Sequence, residues 1–521
     1  MSAIGHLRVV ETNTAFFCVE GILMKLKEFP GRGQFQALAE KCNVIPVCRE
    51  ILADMETPVS LLKKCYDDNG NGPRRPIFLL ESVEGGEKWG RYSFLGTSAR
   101  ARVKVFADQV TITENGRKDH IPHDGDPLTV LKNFMGRFKP AEMPELPRFW
   151  GGLVGHLTYE MVSFFERIPN RLPDDTALAD FIVCDELLIF DNIRNTLILV
   201  AIAFIGDAGP DAAFDDALAR LDEMQQRMAT PVGDDSCVSY GKRMTLAPTV
   251  DAQVFKDQVS TVKAYIQAGD VIQAVISQPF QCTAPRDILS VYRAQRYINP
   301  SPYLFFFHFD EMALVGSSPE TMVRLENRVA TLRPIAGTRP RGDSEQADRA
   351  LAAELLADEK ERAEHLMLVD LGRNDLGRVG RTGTVQVTDL MVVERYSHVM
   401  HLVSNINCDL ENEYDAWDLL RASFPAGTLS GAPKVRAMEI IDELEQSPRG
   451  AYGGAVGYVS FSGNMDLAIT IRTACIQDGT LTVRAGAGIV ADSNPEAERQ
   501  ETINKAMAIQ RALELTCEEE G

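Results

Sequence analysis

Short apolar clusters and alternating apolar–polar runs dominate the first two hundred positions of the chain. Residues 77–82, 102–106, 110–113 and 196–205 are rich in Val, Ile, Leu and Phe, are bounded by Gly, Asp or Asn, and predict strands. The period then changes: Phe214, Leu218, Leu221 and Met224 recur at helical spacing and predict a helix over 211–228. An aperiodic stretch bearing Pro, Gly, Asp and Ser, 229–245, reads as a linker. Val254, Val259, Val262 and Ile266 then predict a second helix over 251–268. Strands at 303–309 and 313–317 follow, and the longest helix is expected over 344–371. Strands and helices do not alternate as βαβ units, so the pattern points to an α+β fold with antiparallel sheets.

Size and charge narrow this picture. At 521 residues, 45% of them hydrophobic, the chain implies two or three domains or one large composite fold. Lys and Arg number 54 against 74 Asp and Glu, a net charge of −20, which repels polyanions and excludes nucleic acid as a partner. Any anion site must then be built locally, from a metal ion, an arginine or backbone amides. Ten cysteines are scattered without a C-x-x-C pair, as in a cytoplasmic protein with reduced thiols. Residues 14–24 are apolar but interrupted by Glu20 and lack a basic leader, so they do not read as a signal peptide. The chain has no run of about 18 apolar residues, so no membrane span is expected.

Several clusters carry chemistry. Glu361 and Glu364 share a helix face at i, i+3, and so do Glu498 and Glu501, in a helix opened by Asn494 as cap and Pro495 at its first position. A lone Glu pair on a helix usually meets solvent, yet two such faces can also supply hard oxygen ligands to Mg²⁺ while waters and a substrate carboxylate complete the octahedron. Gly427-Thr428-Leu429-Ser430-Gly431-Ala432-Pro433-Lys434 precedes an apolar-periodic helix whose N-terminus can hold an anion. Its spacing is not that of a nucleotide-binding phosphate loop. Gly486 and Gly488 permit a close backbone approach to a ligand, or mark a bulge. Arg472 sits in the β-type run 467–474 and needs a partner if buried, either a substrate carboxylate or water at a sheet edge. His401 reads either as a core histidine or as a site residue.

The segment Pro334-Ile335-Ala336-Gly337-Thr338, the stretches 361–375 and 485–501 around the two Glu pairs, and Gly316-Ser317-Ser318-Pro319-Glu320 occur in the order seen in one family. Together they resemble component I of anthranilate synthase, among the chorismate-utilising enzymes, over most of residues 36–510. The resemblance implies a four-layer α/β/β/α fold with two large, orthogonally packed antiparallel sheets. It implies an extension over 1–30, ordered or not, a sheet-rich region 31–230 carrying a tryptophan feedback site, a linker 231–248 and a chorismate-binding catalytic domain 249–517.

Residue by residue, the resemblance assigns Glu361, Glu364, Glu498 and Glu501 to Mg²⁺, which holds the ring carboxylate of chorismate. Arg472, Tyr452, Gly486 and Gly488 are assigned to the enolpyruvyl carboxylate. Thr338, Thr428 and Lys505 line the pocket, and His401 lies near the ring during pyruvate loss. Glu320 matches the general acid for the departing C4 hydroxyl, a task that requires its pKa to be raised by burial. Two positions separate sister chemistries. Ala336 replaces the lysine nucleophile common in aminodeoxychorismate synthase, and Gln273 replaces the water-activating lysine of isochorismate and salicylate synthases. Free ammonia is then the expected reactant. No cysteine has the Gly-x-Cys-x-Gly setting of a glutaminase, so the resemblance implies a separate glutamine amidotransferase subunit. It also implies tryptophan binding by Glu81, Ser82, Pro302, Tyr303 and Leu304. Pro279 stands where the family usually has arginine, at a position expected to face the surface. Two other readings stay open at this point: component I of aminodeoxychorismate synthase, and a non-catalytic amino-acid sensor on the same scaffold.

Overall fold

The computed structural model describes residues 24–66, 75–82, 90–231, 244–310, 312–396 and 399–516. Among them, two antiparallel sheets of 13 and 12 strands form the body of the fold. Helices lie against each sheet. Gly209–Ala229 packs on Thr196–Phe204 and Pro495–Leu515 on Thr480–Ile489 in the larger sheet, while Glu359–Gly377 packs on Ile335–Pro340 and Val399–Asp409 in the other. Aromatic contacts join the sheets to each other: Phe149 stacks on Tyr458 of one at 4.1 Å and meets Phe94 of the other edge-on at 5.2 Å. The expected α+β, α/β/β/α architecture is what the chain adopts.

Alternation explains the strands. Ala101–Val105 buries every second side chain, as a half-covered strand does, whereas Gly152–Leu157, covered on both faces, is buried throughout. Strands appear at Ile77–Glu81, Ala101–Val105, Gln109–Glu114, Thr196–Phe204, Tyr303–Phe309 and Met312–Ser318, and helices at Gly209–Ala229 and Ala252–Ala268, close to the expected bounds.

Three local expectations differ from the structure, and one, the linker, falls mostly outside the described residues. The single helix over 344–371 is two helices, Glu345–Ala357 and Glu359–Gly377. Asp358 between them has extended backbone, and its carboxylate accepts hydrogen bonds from the Lys360 and Glu361 amides, capping the second helix. Residues 25–29, counted in the extension, form a strand paired with Val44–Leu52; residues 1–23 lie outside the described part. Most of the linker, residues 232–243, also lies outside it, and both sheets take strands from either side of that segment. Pro279 is buried in the strand Gln273–Thr283 instead of facing the surface. Its carbonyl accepts from Thr249, so its missing N–H falls on the side where only the two-residue strand Ala247–Pro248 pairs.

Two crossovers set up the site. The chain leaves the larger sheet after Met312–Ser318 and enters the other at Thr321–Glu326, so Pro319 and Glu320 bridge the sheets. It returns from Met465–Ile469 to Thr473–Gln477, so Thr470, Ile471 and Arg472 form a second bridge. The Ile469 amide donates to the Glu320 carbonyl at 3.0 Å, which holds the bridges side by side.

Candidate active site

Where the crossovers meet, a cavity of about 480 Å³ opens. The catalytic, substrate-side and metal-side residues singled out in the sequence all line it, drawn from strands, helices and bridges far apart in the chain. That volume lies in the range of small-molecule sites, roughly 300–1,000 Å³.

Glu320 is 8% exposed. Burial pushes its carboxyl up from an ordinary 4.5 to about 8, against the opposing pull of Thr428, Arg472 and Lys505. The Thr428 hydroxyl lies beside it without completing a hydrogen bond of normal geometry. At neutral pH Glu320 therefore carries its proton. Arg472 was expected inside a strand and instead occupies the bridge, in left-handed backbone with φ of 49°. Burial holds its guanidinium below its ordinary value, while Glu320 pulls the other way.

His401 lies opposite Thr338 in the pairing of Ile335–Pro340 with Val399–Asp409. Its Nδ1 is 3.0 Å from the Gly337 carbonyl and 3.0 Å from the Thr338 hydroxyl. A carbonyl only accepts, so the proton resides on Nδ1 and Nε2 is left as the acceptor. Burial lowers the imidazole pKa, which keeps the ring neutral. Gly337 has φ of 66°, and a Cβ there would lie 3.0 Å from Leu355 and 3.2 Å from Glu361, so the turn of the Pro-Ile-Ala-Gly-Thr segment requires glycine. Ala336 faces the same cavity and presents no amine.

Opposite these groups stand the two Glu pairs. Gln273 donates from Nε2 to Glu364 at 3.2 Å, and its buried Oε1 has no partner. Burial, reinforced by Glu361 and Glu501, pushes the Glu364 carboxyl above its ordinary range. Burial and Glu501 do the same to Glu498. Hard oxygen donors gathered in this way form a set suited to a cation. Among the described residues, no three His, Cys, Asp or Glu side chains converge closely enough to bind one ion by themselves. Lys505 pairs with Glu501 at 2.7 Å and donates to the Gly486 carbonyl at 2.9 Å. Side chains at Gly486 or Gly488 would strike Tyr452 Oη at 2.6 Å or Gln273 Nε2 at 2.2 Å, so the strand backbone forms the wall.

Residues that had no role in the sequence reading complete the wall. Arg484 lines the cavity and belongs to a buried cluster in which Glu445 accepts from Arg449 at 2.7 Å and from Arg484 at 2.8 Å. Burial alone would raise the Glu445 carboxyl, but the two guanidiniums hold it below its ordinary value. Arg339 binds Asp358 at 2.8 Å and Glu361 at 3.4 Å, tying the Pro-Ile-Ala-Gly-Thr strand to the start of the helix that bears the first Glu pair. Lys434, from the expected anion cradle, points away and binds Asp375 at 2.7 Å.

The five residues assigned to tryptophan also gather, around a second cavity of about 60 Å³. Glu81 is buried and paired with Arg296, and Tyr303 donates to Asp466 at 2.9 Å. A larger open trough of about 1190 Å³ is lined by Arg324, Arg333, Arg341 and Arg395, which are paired with Glu326, Glu394 and, for the last two, Asp348.

A family profile described as chorismate binding enzyme matches residues 78–511. The chain belongs to the chorismate-binding enzyme family. Relatives named anthranilate synthase component 1 come from Acetivibrio thermocellus, 44% identical over 495 residues, 93% of this chain and 98% of the relative, and from Pseudomonas putida, 46% identical over 483 residues, 91% and 96%. A solved anthranilate synthase component I from Streptococcus pneumoniae is 37% identical, with a TM-score of 0.72 over 82% of this chain and 95% of that one. The menaquinone-specific isochorismate synthase of Escherichia coli, 20% identical with a TM-score of 0.65, shares the family's fold.

Proposed function

We propose that this protein joins ammonia to chorismate and releases pyruvate, forming anthranilate in the tryptophan pathway. The observation that carries the reading is Glu320, a carboxyl kept protonated by burial, in one cavity with a neutral imidazole and two Glu pairs, in a chain 44–46% identical to proteins named anthranilate synthase component 1.

In this reading the ammonia lone pair attacks C2, the ring double bond shifts, and the C4 oxygen takes the Glu320 proton and leaves as water. Arg472, Tyr452 and the Gly486 and Gly488 amides hold the enolpyruvyl carboxylate, with Lys505 adding local positive charge. Thr338 and Thr428 line the ring. Loss of the C2 proton then expels the enolpyruvyl group, which ends as pyruvate, and the ring becomes aromatic. His401 is suited to that step, because Nδ1 is committed to Gly337 and Nε2 is free to accept. Gln273 cannot deprotonate water and Ala336 cannot form a covalent adduct, which leaves ammonia as the nucleophile.

Glu361, Glu364, Glu498 and Glu501 fit Mg²⁺ as hard oxygen donors, and an ion of this kind needs only one or two carboxylates when waters and substrate oxygens fill its shell. Bound there, it would neutralise the ring carboxylate of chorismate. The relatives are named as component 1, and the same reading assigns ammonia supply to a glutamine amidotransferase subunit, tryptophan inhibition to Glu81, Ser82, Pro302, Tyr303 and Leu304, and the work of the enzyme to the cytoplasm. Among the described residues no helix is long and apolar enough to cross a membrane.

Incubation of the purified protein with chorismate, Mg²⁺ and ammonium, with products identified by mass spectrometry, tests the assignment. Anthranilate supports it; aminodeoxychorismate or isochorismate as main product refutes the readings of Ala336 and Gln273.

A further inference from the structure

Arg472 can meet a substrate carboxylate only if the bridge that carries it stays in its left-handed turn, a conformation unfavourable for a residue with a side chain. Two groups fix that turn through the Arg472 carbonyl. The Ser317 amide donates to it at 3.3 Å, and the side chain of Gln295 donates from Nε2 at 2.6 Å. Gln295 is 1% exposed, and its own carbonyl oxygen has no partner. A carbonyl cannot donate, so the amide nitrogen must face Arg472 and Oε1 must stay unsatisfied on the other side. A buried, unpaired amide oxygen costs stability, so packing alone gives no reason for glutamine there.

The helix bearing it, Ile288–Ile298, is itself held at that end. Arg296 pairs with Glu81, and Asn299 donates from Nδ2 to Ser317 Oγ at 3.1 Å. Ser317 lies three residues before Glu320. One helix end thus grips both backbones that present the site, 317–320 and 470–472.

We propose that Gln295 is a positioning residue for substrate binding: it fixes the Arg472 turn and so aims the guanidinium into the cavity. The proposal rests on Arg472 binding a chorismate carboxylate. Gln295→Met keeps the length of the side chain, removes the donor and also removes the unsatisfied oxygen, so the thermal midpoint should hold or rise. Steady-state kinetics with ammonium should show the chorismate KM rising about tenfold with kcat within about threefold, the pattern of lost binding shared by ground and transition state. In an Arg472→Gln background, whose KM is already raised, the same change should add less than about twofold, because the two residues act as one unit. Gln295→Leu, which likewise removes the donor and has no polar atom, should raise KM as far and stands in if the Met variant does not fold.

An unchanged KM in Gln295→Met, or an equal loss in both backgrounds, overturns the inference and leaves the pocket assignment standing. An unchanged KM in Arg472→Gln overturns the pocket assignment and the inference with it.

Discussion

Replacing Glu320 by glutamine separates the energetic from the catalytic consequence of its burial. The native state moves this carboxyl from 4.5 to about 8, so it disfavours the ionised form by roughly 5 kcal/mol. At pH 7 the unfolded chain ionises Glu320 and the native chain does not, so the residue costs the fold roughly 3 kcal/mol there. For a carboxyl with a raised pKa, the associated stability is fully present below 4.5 and lost as pH rises to about 8. Glutamine is neutral throughout. In urea titrations Glu320→Gln should match the parent near pH 4.5, exceed it by roughly 3 kcal/mol at pH 7 and reach a plateau above pH 8. Turnover should fall by about 10²–10⁴, the usual worth of a positioned acid. The parent's kcat/KM should decline as pH rises through about 8, where the acid loses its proton. A stability gap that does not widen with pH, or a variant keeping more than about a tenth of parental turnover, would refute the argument.

Glu364→Ala and Glu501→Ala should each weaken Mn²⁺ binding, read by electron paramagnetic resonance without substrate, by at least about tenfold; unchanged binding in both would exclude the four glutamates as the metal site. Ser82→Phe should fill the 60 Å³ cavity, leaving turnover but abolishing inhibition by tryptophan, and an unchanged inhibition curve would contradict the second site. His401→Asn should lower kcat by about 10²-fold with little change in chorismate KM if the imidazole acts on the ring after binding, and a change confined to KM would give it a binding role instead.

Much of the fold could be read from local pattern. Alternation located the strands around 101–114 and helical spacing located Gly209–Ala229, because one-sided burial writes its period into the sequence, while 196–204, buried on both faces, showed as an unbroken apolar run. The family and the class of enzyme were legible too, through several short segments in a fixed order. The crossovers were not. Residues 467–474 keep β-type composition while the chain changes sheets, so Arg472 read as a strand residue, although its backbone turns left-handed there. The break at Asp358 was hidden because helical period continues on both sides of it, and only the capping bonds of its carboxylate reveal the stop. The Glu445, Arg449 and Arg484 cluster gave no local signal, since its members meet only through tertiary packing. Likewise, the sequence could say that Glu320 needed a raised pKa, and only the bridge between sheets supplies the burial that raises it.

The central claim is that this cavity makes nitrogen the nucleophile. Turnover of chorismate with ¹⁵N-ammonium and Mg²⁺ by the purified chain tests it most directly. The account predicts anthranilate carrying one ¹⁵N per molecule and an equal amount of pyruvate; chorismate consumed without nitrogen appearing in an aromatic product would contradict it.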